Sequence, residues 1–483
     1  MIRTIEEQIL GHVQSVPDKV ALIAGETEVT YRQMWDRCLA AAAALKRKFN
    51  LQKGDRVIIS AAGNIEFAYV YFGIHIAGGI CVPIDPDTNR TRFDYIAKST
   101  RPVCVIGTLH NVPTETVPFA DVTEGDEQAE YIVPEASQVA DILFTTGTTG
   151  APKGVALSYA NLAAAANNIN TFIRNTKDDV ELLALPVSHS FGLGRMRCSL
   201  SMGATVVMLG TFANVKRFFG EMKRCHATMF AMVPASWGFL KKMSGKYIGK
   251  FAEQLKFIEI GSSFMPVEEK QFLMDMLPNT RICMHYGSTE ASRSAFMEFH
   301  ACKDNLTTAG HASPNCEIKI FSSEGKPLPA GEEGEVCVKG EHVTCSYWNE
   351  PPERFAADFY DGYFRTGDCA TMDTDGNIYL KSRIKEMINV GGKKVAPMEV
   401  EDILNTIPGI KECACIGIPD PGIVLGEVVK AFVVADESLT DEEIMRQLRP
   451  QLEVYKLPVE IERISEIPKT ASGKIQRLKL KTR

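Results

Sequence analysis

The chain has 483 residues, 45% of them hydrophobic and 23% charged, a globular composition whose length suggests roughly two to four domains of about 100–200 residues. A net charge of −7 argues against a broad basic surface, so no nucleic-acid partner is expected. Residues 1–7 carry acids where a signal peptide needs an apolar stretch, and residues 64–84 fall short of about 18 uninterrupted apolar residues; no membrane span is expected, and the protein reads as cytoplasmic.

In chain order, Tyr31–Phe49 is an Ala-rich helix candidate and 56–59 a buried strand. Residues 64–77 read as a helix, 80–84 as a strand, and 91–99 with 103–106 repeat the pair. Strands that are apolar throughout and separated by helices indicate parallel sheets covered on both faces, an α/β scaffold. Residues 334–381 read as short β segments broken by turns such as Asp375-Gly376-Asn377. After a boundary near 382–386, a helix from 398 to 404, a strand, a helix and a Pro- and Lys-rich end make a small α+β domain. The expected organisation is therefore a large N-terminal domain, 1–384, with a β-rich subdomain, and a small C-terminal domain, 385–483. Thirteen scattered cysteines form no CxxC pair, which points to reduced, buried thiols. Cys413 and Cys415 alternate along 412–416, a strand with both sulfurs on one face.

The strongest local chemistry is Thr145-Thr146-Gly147-Thr148-Thr149-Gly150-Ala151-Pro152-Lys153-Gly154, following the strand-like 142–144. Glycines let backbone N–H groups approach phosphate oxygens, threonine hydroxyls add donors, and Lys153 adds charge. It is not a Walker loop, because position 152 is Pro and no Ser or Thr follows Lys153; a motor ATPase or kinase is excluded on that ground.

Four further segments follow in order: Tyr286-Gly287-Ser288-Thr289-Glu290, Tyr363-Phe364-Arg365-Thr366-Gly367-Asp368, Lys381-Ser382-Arg383 and 468–474, ending in Gly473-Lys474. With these five segments the chain resembles the adenylate-forming superfamily of acyl- and aryl-CoA ligases, nonribosomal peptide synthetase adenylation domains and luciferases. The resemblance covers essentially the whole chain and is nearest to the CoA-ligase branch. It implies an enzyme that makes an acyl-adenylate from ATP and a carboxylic acid with Mg²⁺, then passes the acyl group to CoA or to the phosphopantetheine of an acyl carrier protein. A non-catalytic nucleotide binder of the same fold is the contrasting class, but Glu290 and Lys474, which it would be expected to lack, are both present.

The resemblance also assigns roles. Thr145, Thr146, Gly147, Thr148, Thr149, Gly150 and Lys153 would cradle phosphates. Tyr286 would cover one adenine face and Gly261, Ser262 and Ser263 would line the other, with His285, Gly287 and Ser288 also binding the nucleotide. Thr289 would donate to the α-phosphate; Glu290, with Thr146, would hold the metal, since a hard cation bridging phosphates needs oxygen ligands. Asp368 and Arg383 would take the ribose hydroxyls. Lys474 would supply the charge that lets two anions meet, while Lys469, Arg477, Lys479 and Lys481 are expected to be solvated. Lys385 falls at the family's hinge, and Gly391, Gly392 and Lys393 would border the pantetheine tunnel of a mobile C-terminal domain.

For the acid, the resemblance points to His189, Ser190, Phe191, Pro234, Ala235, Trp237, Gly261, Met284 and His285. His189 would gate the pocket or contact the carboxylate. Amino-acid-activating members place an aspartate where Ser190 stands; a buried ammonium without it is costly, so a fatty or aromatic acid is expected. Arg195 and Arg293 lie near these segments, to pair with a ring substituent or, preferably, with a neighbouring acid.

Overall fold

The computed structural model describes residues 3–145, 152–263, 265–391, 393–420, 426–470 and 473–482. The chain divides into two compact units, one of residues 1–306, 310–317 and 339–358, the other of 307–309, 318–338 and 359–483.

The first unit carries two mixed sheets. The larger runs in the order His311–Ala312, Ala295–Glu298, Arg281–Tyr286, Phe257–Ile260, Met229–Met232, Val180–Leu183, Thr205–Met208, Val20–Ala24, Thr27–Thr30. Its middle is parallel, and antiparallel pairs close both ends. The second runs Ser346–Tyr347, Gly154–Ser158, Val139–Phe144, Ile80–Ile84, Arg56–Ser60, Cys104–Ile106. Here too the centre is parallel, but Gly154–Ser158 returns antiparallel along Val139–Phe144. The phosphate-loop segment is thus the connection of a hairpin rather than of a strand–helix unit.

The helices start and stop where their sequence says. Thr30 and Gln33 form a reciprocal capping box at the head of Tyr31–Phe49, and Asn50, left-handed at φ 49°, ends it behind Lys46, Arg47 and Lys48. Ile65–Ile76 is capped by Asn64 and has every residue but Glu66 buried. This explains the apolar run at 64–84: it is a core helix and a core strand, and among the described residues no helix is long and apolar enough to cross a membrane. Gly73 lets that helix lie against the Ala-rich one, since a Cβ there would stand 2.7 Å from Ala41 Cβ. One apolar core joins both sheets of this unit and their covering helices.

The second unit contains separate apolar clusters. Phe321, Cys337 and Tyr363 fill a small β-sheet ordered Glu317–Phe321, Gly334–Lys339, Tyr363–Met372, Phe359–Tyr360, with Ile378–Arg383 on the 363–372 strand. Another cluster packs the sheet Ile410–Pro419, Glu427–Ala435, Glu460–Arg463 against helices Pro397–Leu404 and Asp441–Leu448. Cys413 and Cys415 both belong to this cluster while Ala414 faces another, as alternation along a strand requires.

Candidate functional site

Strand Arg281–Tyr286 ends in the loop 287–293, which folds back on itself: Ser288 N–H donates to the Ala291 carbonyl at 3.1 Å, and Ala291 N–H to Ser288 Oγ at 3.2 Å. Position 287 must be glycine, because a Cβ would meet Arg293 N at 2.6 Å and Ala291 O at 2.7 Å. Tyr286, Ser288, Thr289 and Glu290 are all half-buried at this turn. Thr344 N–H donates to the Glu290 carbonyl at 2.7 Å, and the Tyr347 hydroxyl donates to Glu290 Oε1 at 3.2 Å.

Tyr347 also connects this turn to the phosphate loop. Strand Ser346–Tyr347 pairs with Gly154–Ser158, placing Tyr347 opposite Val155. Lys153 Nζ then stands 4.3 Å from the Tyr347 ring centroid, and Thr145 N–H donates to the Lys153 carbonyl at 3.0 Å, closing the base of the loop. Thr146, Gly147, Thr148, Thr149 and Gly150 lie outside the described residues. A cation and a carboxylate are thereby fixed on opposite parts of one buried tyrosine. Burial, with Glu290 adding to it, holds the Tyr347 phenol far above its usual range, so it remains a donor.

Magnesium fits the oxygen chemistry of Glu290. Among the described residues no group of three His, Cys, Asp or Glu could hold a metal by itself, and Mg²⁺ on a nucleotide takes only one or two carboxylates beside phosphate oxygens.

The acyl-pocket candidates gather at the C-terminal ends of the central parallel strands. His189 is exposed at the head of helix Ser190–Ser201, and Phe191 is buried with its ring edge-on to His285 at 4.6 Å. His285 presses on Gly261, whose position a Cβ could not share with the imidazole. Ser262 follows in a left-handed turn, φ 76°, with Ser263 half-buried beside it. Met284 sits opposite Ile260 across the parallel pair. Pro234 opens helix Pro234–Ser244 and Ala235 is exposed. Trp237 is buried, but its indole N–H donates to Glu269 Oε2 of helix Val267–Met276 at 2.7 Å.

Arg195 and Arg293 resolve in favour of acids. Arg195 pairs with Glu181 and Glu259, and Arg293 Nε lies 3.0 Å from Glu259 Oε1, which also meets His285 Nδ1 at 2.6 Å. Burial alone would raise the Glu259 pKa, but Arg293, His285 and Arg195 outweigh it and hold the carboxyl well below the usual range.

In the second unit, Asp368 and Arg383 face each other across antiparallel strands, with Arg383 Nε 2.8 Å from Asp368 Oδ1. Arg383 Nη1 also donates to the Thr366 carbonyl at 2.9 Å, and Gly367, φ 74°, carries the chain between. Lys385 lies in the turn Ile384–Glu386, its side chain outside those described. Gly391, φ 56°, turns the hairpin of Ile388–Val390 and Lys393–Val395. Gly392 lies outside the described residues; Lys393 Nζ stands 4.5 Å from the Tyr455 ring. Lys474 is exposed on a turn in which its N–H donates to Thr470 Oγ1 at 3.1 Å and Thr470 N–H donates to its carbonyl at 2.8 Å.

Arg477, expected to be solvated, is not, whereas Lys469 is exposed. Arg477 is half-buried, donating from Nη2 to both Glu401 oxygens at 2.7 Å, from Nη1 to Glu386 at 2.9 Å and from Nε to the Cys415 carbonyl at 3.1 Å. Lys469 pairs with Glu412 at 2.7 Å. The three acids, Glu386, Glu401 and Glu412, come from distant segments, so a reading of the tail alone misses them. The Glu259 and Tyr347 roles were likewise not anticipated. A glutamate inside the apolar strand Phe257–Ile260 is a signal for the first; nothing local marks the second.

The AMP-binding enzyme model matches residues 11–348, and the model of the AMP-binding enzyme C-terminal domain matches 399–474. The chain is 28% identical to an oxalate–CoA ligase of Arabidopsis thaliana, over 95% of each chain. It is 29% identical to the fatty acid–[acyl-carrier-protein] ligase ScoC of Streptomyces coeruleorubidus, over 100% of this chain and 96% of that one. ATP-bound MatB from Rhodopseudomonas palustris superposes with a TM-score of 0.90 at 26% identity, covering 100% of this chain and 99% of that one. With the family model matched over most of the chain, the protein belongs to the AMP-binding, adenylate-forming enzyme family, in its acyl- and aryl-CoA ligase branch.

Proposed function

We propose that the protein activates a fatty or aromatic carboxylic acid as its acyl-adenylate, releasing pyrophosphate, and then transfers the acyl group to CoA. The observation that carries this reading is the placing of Lys153 and Glu290 on Tyr347. It sets a cation for phosphate oxygens beside an oxygen ligand for magnesium, which when bound would neutralise phosphate charge. Asp368 and Arg383 take the ribose hydroxyls, Tyr286 and Gly261-Ser262-Ser263 enclose the adenine, and Thr289 donates to the α-phosphate. Lys474 brings positive charge to the attacking carboxylate. The residues 385–483 act as a mobile domain hinged at Lys385, withdrawing Lys474 after adenylation and presenting Gly391, Gly392 and Lys393 to the thiol. That segment's own apolar cluster supports treating it as a body.

An α-amino acid is disfavoured, because serine stands at position 190, where amino-acid-activating members place an aspartate, and a buried ammonium without a paired acid is costly. Transfer to a carrier protein is the second reading, favoured by the match to an acyl-carrier-protein ligase along the entire chain. ATP–pyrophosphate exchange with oxalate, hexanoate, palmitate, benzoate and ferulate tests the first half-reaction; CoA against holo-carrier protein tests the second. Exchange with a fatty or aromatic acid and thioester on CoA is expected. No exchange with any acid would refute adenylation, and thioester on carrier protein alone would refute CoA.

A further inference from the structure

The charges behind the acyl segment take no part in the steps above. Glu181, Arg195 and Glu259 are wholly buried and Arg293 nearly so. They form a chain in which Arg195 joins the two glutamates and Glu259 holds Arg293. From that seat the Arg293 fork reaches two backbone carbonyls, Ser190 at 3.1 Å and Phe191 at 2.9 Å, and its carbon stands 4.8 Å from the Phe191 ring centroid. A rigid planar fork holds such a pair of acceptors in fixed relative orientation, which a compact ammonium on a flexible stem does less well.

Two concessions of the surrounding chain accommodate this guanidinium. Arg293 is left-handed at φ 53°, a backbone state that non-glycine residues rarely adopt and that clusters at functional sites. Gly194, in the second turn of the helix Ser190–Ser201, has no side chain, and a Cβ there would stand 2.7 Å from Arg293 Nη1. Buried ion pairs rarely add stability over apolar packing, so the arrangement calls for a geometric role.

We propose that Arg293 is a positioning residue: seated on Glu259, it fixes the Ser190–Phe191 backbone along the acyl pocket and so sets the enzyme's affinity for the acid without acting on ATP. This rests on the reading of 189–191 as the pocket wall. Glu259 is its anchor, and Arg195 with Glu181 keeps Glu259 from turning away.

The test uses full-length enzyme in ATP–pyrophosphate exchange, with whichever of oxalate, hexanoate, palmitate, benzoate and ferulate the wild type turns over with the highest kcat/KM. Gly194→Ala displaces the guanidinium without removing charge and improves helix propensity, so it should fold. Its acid KM should rise by about tenfold, as a displacement near 1 Å at a binding wall produces, with ATP KM within about twofold of wild type. Arg293→Lys should show the same split, more strongly. The charge-balanced double variant Glu259→Gln/Arg293→Met should restore the melting temperature lost in Arg293→Met alone but keep the high acid KM. An unchanged acid KM in Gly194→Ala, a parallel rise in both KM values, or recovery of acid KM in the double variant would overturn the positioning role. Wild-type enzyme that exchanges with no acid would instead overturn the reading beneath it, and the proposal with it.

Discussion

Asp368 and Arg383 lie on strands whose register sets them opposite one another, so the carboxylate is oriented by a fork that is itself tied to the Thr366 carbonyl. A carboxylate so held is suited to accept from neighbouring hydroxyls, and a hydrogen bond to a charged group contributes about 1.5–3 kcal/mol. Asp368→Asn should therefore raise the KM for ATP by at least about tenfold while leaving the KM for the acid within about twofold; initial-rate exchange with each substrate varied decides this. The two residues were legible from their motifs, and so was the turn at 286–290. Tyr347 was not, because it reaches Lys153 and Glu290 only through the pairing of Ser346–Tyr347 with Gly154–Ser158. Arg477 was misread for the same reason, since its acids stand at 386 and 401.

Helices and strands were legible where their apolar period was unbroken. Tyr31–Phe49 and Ile80–Ile84 have the bounds the pattern gives, and the antiparallel return of Gly154–Ser158 escapes it because periodicity carries no strand direction. Between helices Tyr31–Phe49 and Ile65–Ile76 the packing is tight at Gly73, and Gly73→Leu should destabilise the fold by about 1–3 kcal/mol through overpacking. Chemical denaturation would show this, with KM values of the folded enzyme unchanged. Near that contact, His75 of the same helix is buried between Glu6 of Ile5–Ser15, at 2.7 Å, and Asp141 of Val139–Phe144, at 3.0 Å. Burial would lower its pKa, but hydrogen bonds to Asp141 and Glu6 outweigh this and raise it to about 9. The folded value lies above the ordinary 6.5, so the stabilisation is complete below about pH 6.5 and is lost as pH climbs through about 9, a loss on the order of a few kcal/mol. Wild-type protein should thus lose stability between pH 6.5 and pH 9, and His75→Gln should flatten that slope; equal slopes by urea denaturation would rule the histidine out as its source.

At the scale of the whole molecule, the proposed chemistry asks one small body for two different faces. On the proposed reading Lys474, on the 470–474 turn, serves adenylation and Gly391, on the 388–395 hairpin, serves transfer, so the proposal requires the 385–483 segment to rotate between half-reactions. The half-reactions should then fail separately. Lys474→Ala should lower pyrophosphate exchange by about 10²–10³-fold, the loss of one preorganised charge, yet still form thioester from supplied acyl-adenylate and CoA. Gly391→Trp should do the reverse. Its exposed, left-handed position tolerates a side chain at a backbone cost of about 1–2 kcal/mol, and intact exchange would confirm that the variant is folded while thioester formation is blocked. Loss of both activities in either variant would mean that adenylation and transfer share one arrangement of the chain, and the hinge at Lys385 would then have no work to perform.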